Sequence, residues 1–153
     1  MVYEGLSKKA IESFLPKIRV RSKRRDRKAM INVPLFPGYL FVKTDLKPAE
    51  HLEILKTTGA VRLLGSRDSP VPVPDDNIES LKIMLNSDAA IITDRIIKNG
   101  ERVIVTGGPF AGLTGLFVRY KGLERVVVNI DVLRQSAIVE IAKEDVEKLP
   151  EIS

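Results

Sequence analysis

The chain has no cysteine and no tryptophan, one histidine, and only 5% aromatic residues among its 153. Without cysteine there are no disulfides, zinc ribbons or thiol nucleophiles, and His51 alone cannot supply the imidazoles of a metal site or proton relay. The scarcity of aromatics argues against the base-stacking platforms that hold single-stranded nucleic acid. No apolar run approaches the roughly 20 residues that span a bilayer, and Met1 to Lys9 lacks the apolar stretch of a secretory signal. These absences set the expectation of a cytoplasmic protein with no membrane partner, no metal and no cofactor. What is present, 44% hydrophobic and 29% charged residues, suits one globular domain or two small ones rather than a disordered or fibrous chain.

The charge is unevenly placed. Eight basic residues lie between Lys17 and Lys28 against one acid, Asp26, a local balance of +7 in a chain of net charge +5, so the remainder is slightly acidic. One localised cationic patch points to contact with a polyanion. Lys17 to Arg21 alternates cations with Ile18 and Val20, the period-2 pattern of a half-buried strand with three cations outward, and Ser22 to Ala29 reads as a loop. Cations this dense, without interleaved aromatics, suit phosphate contacts that position a nucleic acid without reading its sequence. Arg19, Arg21, Lys23, Arg24, Arg25, Arg27 and Lys28 are the candidates. The competing reading is a solvated charged turn.

Hydrophobic periodicity divides the chain in two. Leu6, Ala10 and Phe14 form a helical stripe that Pro16 ends. Met30 to Lys43 reads as extended chain interrupted by Pro34 and Pro37, with Gly38 to Val42 apolar on both faces. Pro48 to Thr58 suits a helix with Leu52 and Leu55 inward and Gly59 just past its end. Ala60 to Leu64 reads as a strand, and Asp75 offers an N-cap to a helix with Ile78, Leu81 and Leu85 inward. The expected class is α+β, with an αββαβα sandwich over residues 1–86, a linker at 87–99, and a small β-barrel over 100–153. Short strands around Val103, Leu116, Val126 and Ile138, separated by Gly107-Gly108-Pro109, Gly112, Gly115 and Lys121-Gly122, define that barrel. No Lys-Ser/Thr pair follows these glycines, so they suit turns rather than a phosphate cradle. The carboxylate pairs Asp75-Asp76 and Glu144-Asp145 fit helix ends and surface charge better than an acid/base site, so no enzyme is expected.

Two motifs carry a family resemblance. Val33-Pro34-Leu35-Phe36-Pro37-Gly38-Tyr39-Leu40-Phe41-Val42 resembles the signature strand of the N-terminal (NGN) domain of NusG-family transcription elongation factors. Gly100 to Val105 followed by Gly108-Pro109-Phe110-Ala111-Gly112-Leu113-Thr114-Gly115 resembles the opening of the family's SH3-like KOW barrel. The Ile11 to Lys28 stretch looks most like the specialised RfaH, UpxY and LoaP paralogues. Family members normally begin with a strand bearing a Trp-Tyr pair, whereas this chain starts inside the following helix, so that strand is expected to be missing.

The resemblance implies a non-enzymatic antitermination or processivity factor. It implies that Phe36, Tyr39, Leu40 and Phe41 meet the clamp helices of the RNA polymerase large subunit, with Phe36, held extended between two prolines, as the leading contact. The apolar alternative is that these residues are core. His51 falls where specialised paralogues face DNA or the polymerase gate loop, although a lone surface histidine is commonly neutral in function. The cationic stretch would then meet DNA or RNA of the elongation complex. Val132, Leu133 and Arg134 fall on the barrel edge that binds Rho or a small-subunit ribosomal protein, with Arg134 where general members carry glycine. A ribosome-associated, RNA-binding KOW module is the alternative function.

Overall fold

The computed structural model describes residues 1–22, 30–60, 62–65 and 69–150. The chain forms two compact units, Met1–Pro70 and Val71–Ser153.

In the first unit, helix α1 spans only Val2–Lys8. It stops well before Pro16 because Ala10 adopts a left-handed conformation, φ 58°. Ile11 N–H then donates to Leu6 O and Ala10 N–H to Ser7 O, each at 3.0 Å, satisfying the last carbonyls of the helix. This closure brings Ile11 back onto Leu6, and both join Ile54 in the unit's core, with Val2, Leu40, Val42 and Leu63 packed around them. Phe14, expected in the helix, lies instead in strand β1 (Ser13–Phe14). Strands β2 (Lys17–Arg21) and β3 (Met30–Pro34) form an antiparallel ribbon, and β4 (Phe41–Val42) pairs antiparallel with β1. Neither pair hydrogen-bonds to a further strand among the described residues.

Helix α2 spans Pro48–Leu55 and buries Ile54 rather than the expected residues: Leu52 and Leu55 are 51% and 40% exposed. Its inward side continues to Thr57, whose buried hydroxyl donates to Glu53 O at 2.9 Å. Residues 62–64 form no strand, contrary to expectation, and only an isolated bridge joins Gly65 to Pro70. After α2, Ala60 N–H donates back to Thr57 O, so the chain turns there instead of entering a strand.

The second unit opens with helix α3, Asp75–Leu85. Pro74 occupies the N-cap and no side chain caps the helix, so Asp75 lies inside the first turn, where a carboxylate favours the positive helix end through charge alone. The buried positions are Ser80, Leu81 and Met84, with Ile78 and Leu85 half-buried. Strands β5 (Ile92–Arg95), β6 (Glu101–Val105), β7 (Thr114–Tyr120), β8 (Leu123–Ile130), β9 (Gln135–Glu140) and β10 (Val146–Lys148) form one antiparallel sheet in the order β10-β6-β7-β8-β9-β5. Thus α3, grouped by sequence with the first unit, packs against β7 and β8, and residues 92–95 of the expected linker pair with β9.

Val126, Val127 and Val128 are all fully buried, because β8 is covered on both faces rather than on the one that simple alternation implies. Gly115 permits the close β7–β8 approach: a Cβ there would lie 2.4 Å from Val127 O.

Candidate functional site

The motif Phe36-Pro37-Gly38-Tyr39 forms a tight turn. Proline at its second position and Gly38 at φ 87° match a type II turn, closed by Tyr39 N–H donating to Phe36 O at 3.1 Å. The turn separates two side chains that the sequence groups together. Phe36 is 1% exposed and meets the Phe41 ring edge-on at 6.5 Å, whereas Tyr39 is 39% exposed. Phe41 also stacks on Phe14 at 5.9 Å, and Leu40 packs on the core with Leu6, Ile11 and Ile54. The expected leading contact, Phe36, is therefore core, because the turn directs its ring inward onto Phe41. Tyr39 is the surface member of the group, and Leu40 and Phe41 are half-buried. Phe14 is a member of this aromatic cluster that helical periodicity concealed, since Leu6, Ala10 and Phe14 also fit a helix.

The ribbon sorts its side chains cleanly. Opposed residues of an antiparallel pair share a face. Lys17 and Pro34, Arg19 and Asn32, and Arg21 and Met30 therefore lie on one face, and Ile18 and Val33, and Val20 and Ile31, on the other. Lys17, Arg19 and Arg21 are exposed, and none forms a salt bridge with a described residue. Three exposed cations on every second residue of a strand repeat at about 7 Å, a spacing compatible with successive phosphates of a nucleic-acid strand. Lys23, Arg24, Arg25, Arg27 and Lys28 lie outside the described residues. His51 is half-buried on α2, away from the ends of that helix.

In the second unit, Val132 and Leu133 are half-buried in the short 3-10 turn Asp131–Leu133. Arg134 follows it, exposed, at φ 54°. Further polar side chains tie this unit together. Asn77 on α3 donates to Asn129 O at 3.0 Å, and the Asn129 amide both receives from Ile97 N–H at 3.1 Å and donates to Ile97 O at 2.8 Å. Ser80 hydrogen-bonds the backbone of Thr114. The Tyr120 hydroxyl donates to the Asp94 carboxylate. Among the described residues there is no group of three or more side chains arranged to hold a metal ion, and no helix is long and apolar enough to cross a membrane.

Comparison with known proteins places these features in context. A family profile described as "Transcription termination factor nusG" matches residues 1–82. The chain is similar to the "Transcription termination/antitermination protein NusG" of Thermus thermophilus, with 31% identity covering 82% of this chain and 75% of that protein. It is similar to the Helicobacter pylori protein of the same description, with 29% identity covering 75% of this chain and 66% of the relative, and so spans just under two thirds of that relative's length. A solved structure described as "Domain interaction in Thermotoga maritima NusG" shares the fold with a TM-score of 0.52 at 22% identity, covering 97% of this chain and 89% of the other.

Proposed function

The chain belongs to the NusG family, and from that premise we propose that it is a non-enzymatic transcription termination/antitermination factor acting on RNA polymerase in the cytoplasm. The first unit binds the clamp helices of the polymerase large subunit through the surface around Tyr39, Leu40 and Phe41. The ribbon cations Lys17, Arg19 and Arg21, with the basic residues that follow them, hold the phosphate backbone of DNA or RNA in the elongation complex. His51 belongs to the same nucleic-acid-facing group. The second unit recruits a small-subunit ribosomal protein or Rho through Val132, Leu133 and Arg134.

The observation that supports this reading most is the exposure of Tyr39 at a tight turn within the matched residues 1–82, in the same unit as a cationic strand face that forms no salt bridge with a described residue. Within the family, the charge concentration between Lys17 and Lys28 and an arginine at position 134 favour a specialised antiterminator over a general factor. The test is capture by the tagged protein from a cell lysate. The reading expects polymerase to be retained. Co-sedimentation with ribosomes and no retention of polymerase would replace it with the ribosomal KOW module.

A further inference from the structure

Strand β5 is held on its sheet differently from the core strands β8 and β9. It pairs with β9 over four residues, in the register Ile92 to Ile138, Thr93 to Ala137, Asp94 to Ser136 and Arg95 to Gln135, and its other edge is unpaired among the described residues. No side chain of β5 is fully buried: Ile92 and Asp94 are half-buried, and Thr93 and Arg95 are exposed. Polar side chains of the sheet grip it instead. The Asp94 carboxylate accepts from the Tyr120 hydroxyl on β7 and from Arg95 N–H at 2.7 Å. The buried Ser136 hydroxyl on β9 lies 2.9 Å from Arg95 O and 3.3 Å from Asp94 O. A segment fastened by a few hydrogen bonds, with little apolar burial, opens at far lower cost than the core strands. Its place matters as well. Gln135, opposite Arg95, directly follows Arg134 and the Asp131–Leu133 turn, the surface assigned above to partner recruitment. The backbone edge of β9 that continues from that surface, Gln135 to Ile138, is taken by β5.

We propose that the recruitment surface extends from the turn along the β9 edge and that β5 is a displaceable strap occupying it: the protein partner adds an extended segment to β9 in place of β5. This rests on the recruitment reading above and adds to it a binding edge and a competition. β5 itself shows that the edge takes an antiparallel segment. It also shows what fits there: an aliphatic residue opposite Ile138 and, two positions on, an acceptor that reaches the Tyr120 hydroxyl. In this mode of recognition main-chain pairing supplies affinity, and alternate side chains supply specificity. Strap and partner cannot pair with β9 at once, so the apparent affinity for the partner falls with the fraction of molecules in which the strap is closed.

Two variants of the full chain test this. Tyr120→Phe keeps the ring and removes the hydroxyl. Loss of a hydrogen bond to a carboxylate should speed hydrogen exchange of the Ile92–Arg95 amides by about tenfold or more, with Val126 to Val128 nearly unchanged, and should tighten partner binding. Arg95→Cys with Gln135→Cys places cysteines on an opposed pair close enough to bridge, and in a chain without cysteine theirs is the only disulfide that can form. Binding is measured to purified small ribosomal subunits and to Rho. Oxidation of the double-cysteine protein should remove most of the affinity for whichever of them binds, and reductant should restore it. If the oxidised protein binds as tightly as wild type, if Tyr120→Phe binds no more tightly, or if the β5 amides exchange as slowly as those of β8, the strap stays in place and the proposal is overturned while the recruitment reading stands. If neither partner binds wild type, Tyr120→Phe or the reduced double-cysteine protein, the recruitment reading fails and the competition with it.

Discussion

Ser80 and Thr114 exchange hydrogen bonds in both directions. The Ser80 hydroxyl, in a residue only 2% exposed, accepts from Thr114 N–H and donates to Thr114 O, each at 3.1 Å. A helix side chain thus satisfies backbone groups at the start of β7, before the β7–β8 ladder begins at Leu116 and Val127. Removing the hydroxyl leaves the Thr114 N–H and carbonyl, both partly buried, without this partner. Ser80→Ala should destabilise the second unit by about 1 to 3 kcal/mol, measured by denaturant unfolding. A change below about 0.5 kcal/mol, the range of ordinary surface substitutions, would mean that α3 is not held by this pair of hydrogen bonds.

Phe36 and Tyr39 should separate in their effects although three positions apart. Phe36→Ala removes a buried ring packed edge-on against Phe41 and should cost about 3 to 5 kcal/mol of folding stability. Tyr39→Ala should leave the melting temperature nearly unchanged. Thermal unfolding followed by circular dichroism distinguishes the two, and equal losses would show that Tyr39 is also a core residue.

The alternation of the ribbon was legible in the sequence, because Lys17 to Arg21 admits only one period, and the exposed cations and half-buried Ile18 and Val20 follow it. The sheet of the second unit was legible for a related reason: β-branched runs between glycine turns leave few alternatives. Helix faces were harder. The buried positions of α3 are Ser80, Leu81 and Met84, one of them polar, so a search for apolar residues finds Leu81 but takes Ile78 and Leu85, which are half-buried, in place of Ser80 and Met84. On α2, Ile54 competes with Leu52 and Leu55, and packing against Leu6 and Ile11 decides in favour of Ile54. The early end of α1 carried no signal, since alanine rather than glycine takes the left-handed position. Strand β5 is four residues long and pairs on one edge only, too little pattern to mark a strand. The role of Phe36 was misplaced because a proline on each side signals an extended chain but not the direction in which the ring points.

The cationic face should report itself through salt. Replacing Lys17, Arg19 and Arg21 with alanine should weaken nucleic-acid binding and flatten the slope of log K against log salt by about one unit for each phosphate no longer neutralised. An unchanged slope with reduced affinity would show that these residues act through folding of the ribbon instead.

Arg134 stands at φ 54°, a conformation that glycine adopts without strain. Arg134→Gly should therefore maintain or raise stability, by up to about 1 kcal/mol, while removing the side chain from the Asp131–Arg134 turn. Titration with a small-subunit ribosomal protein or Rho then reads the contribution of the guanidinium alone. A fall in melting temperature would mean that Arg134 supports the fold.

The most direct test of the central claim is the equilibrium affinity of the labelled chain for purified RNA polymerase, compared between wild type and Tyr39→Ala. Wild type should bind, and the variant should bind more weakly by about 1 to 3 kcal/mol, the range for an aromatic anchor in an interface. Equal affinity, with both proteins folded by circular dichroism, would contradict the assignment of this surface to polymerase.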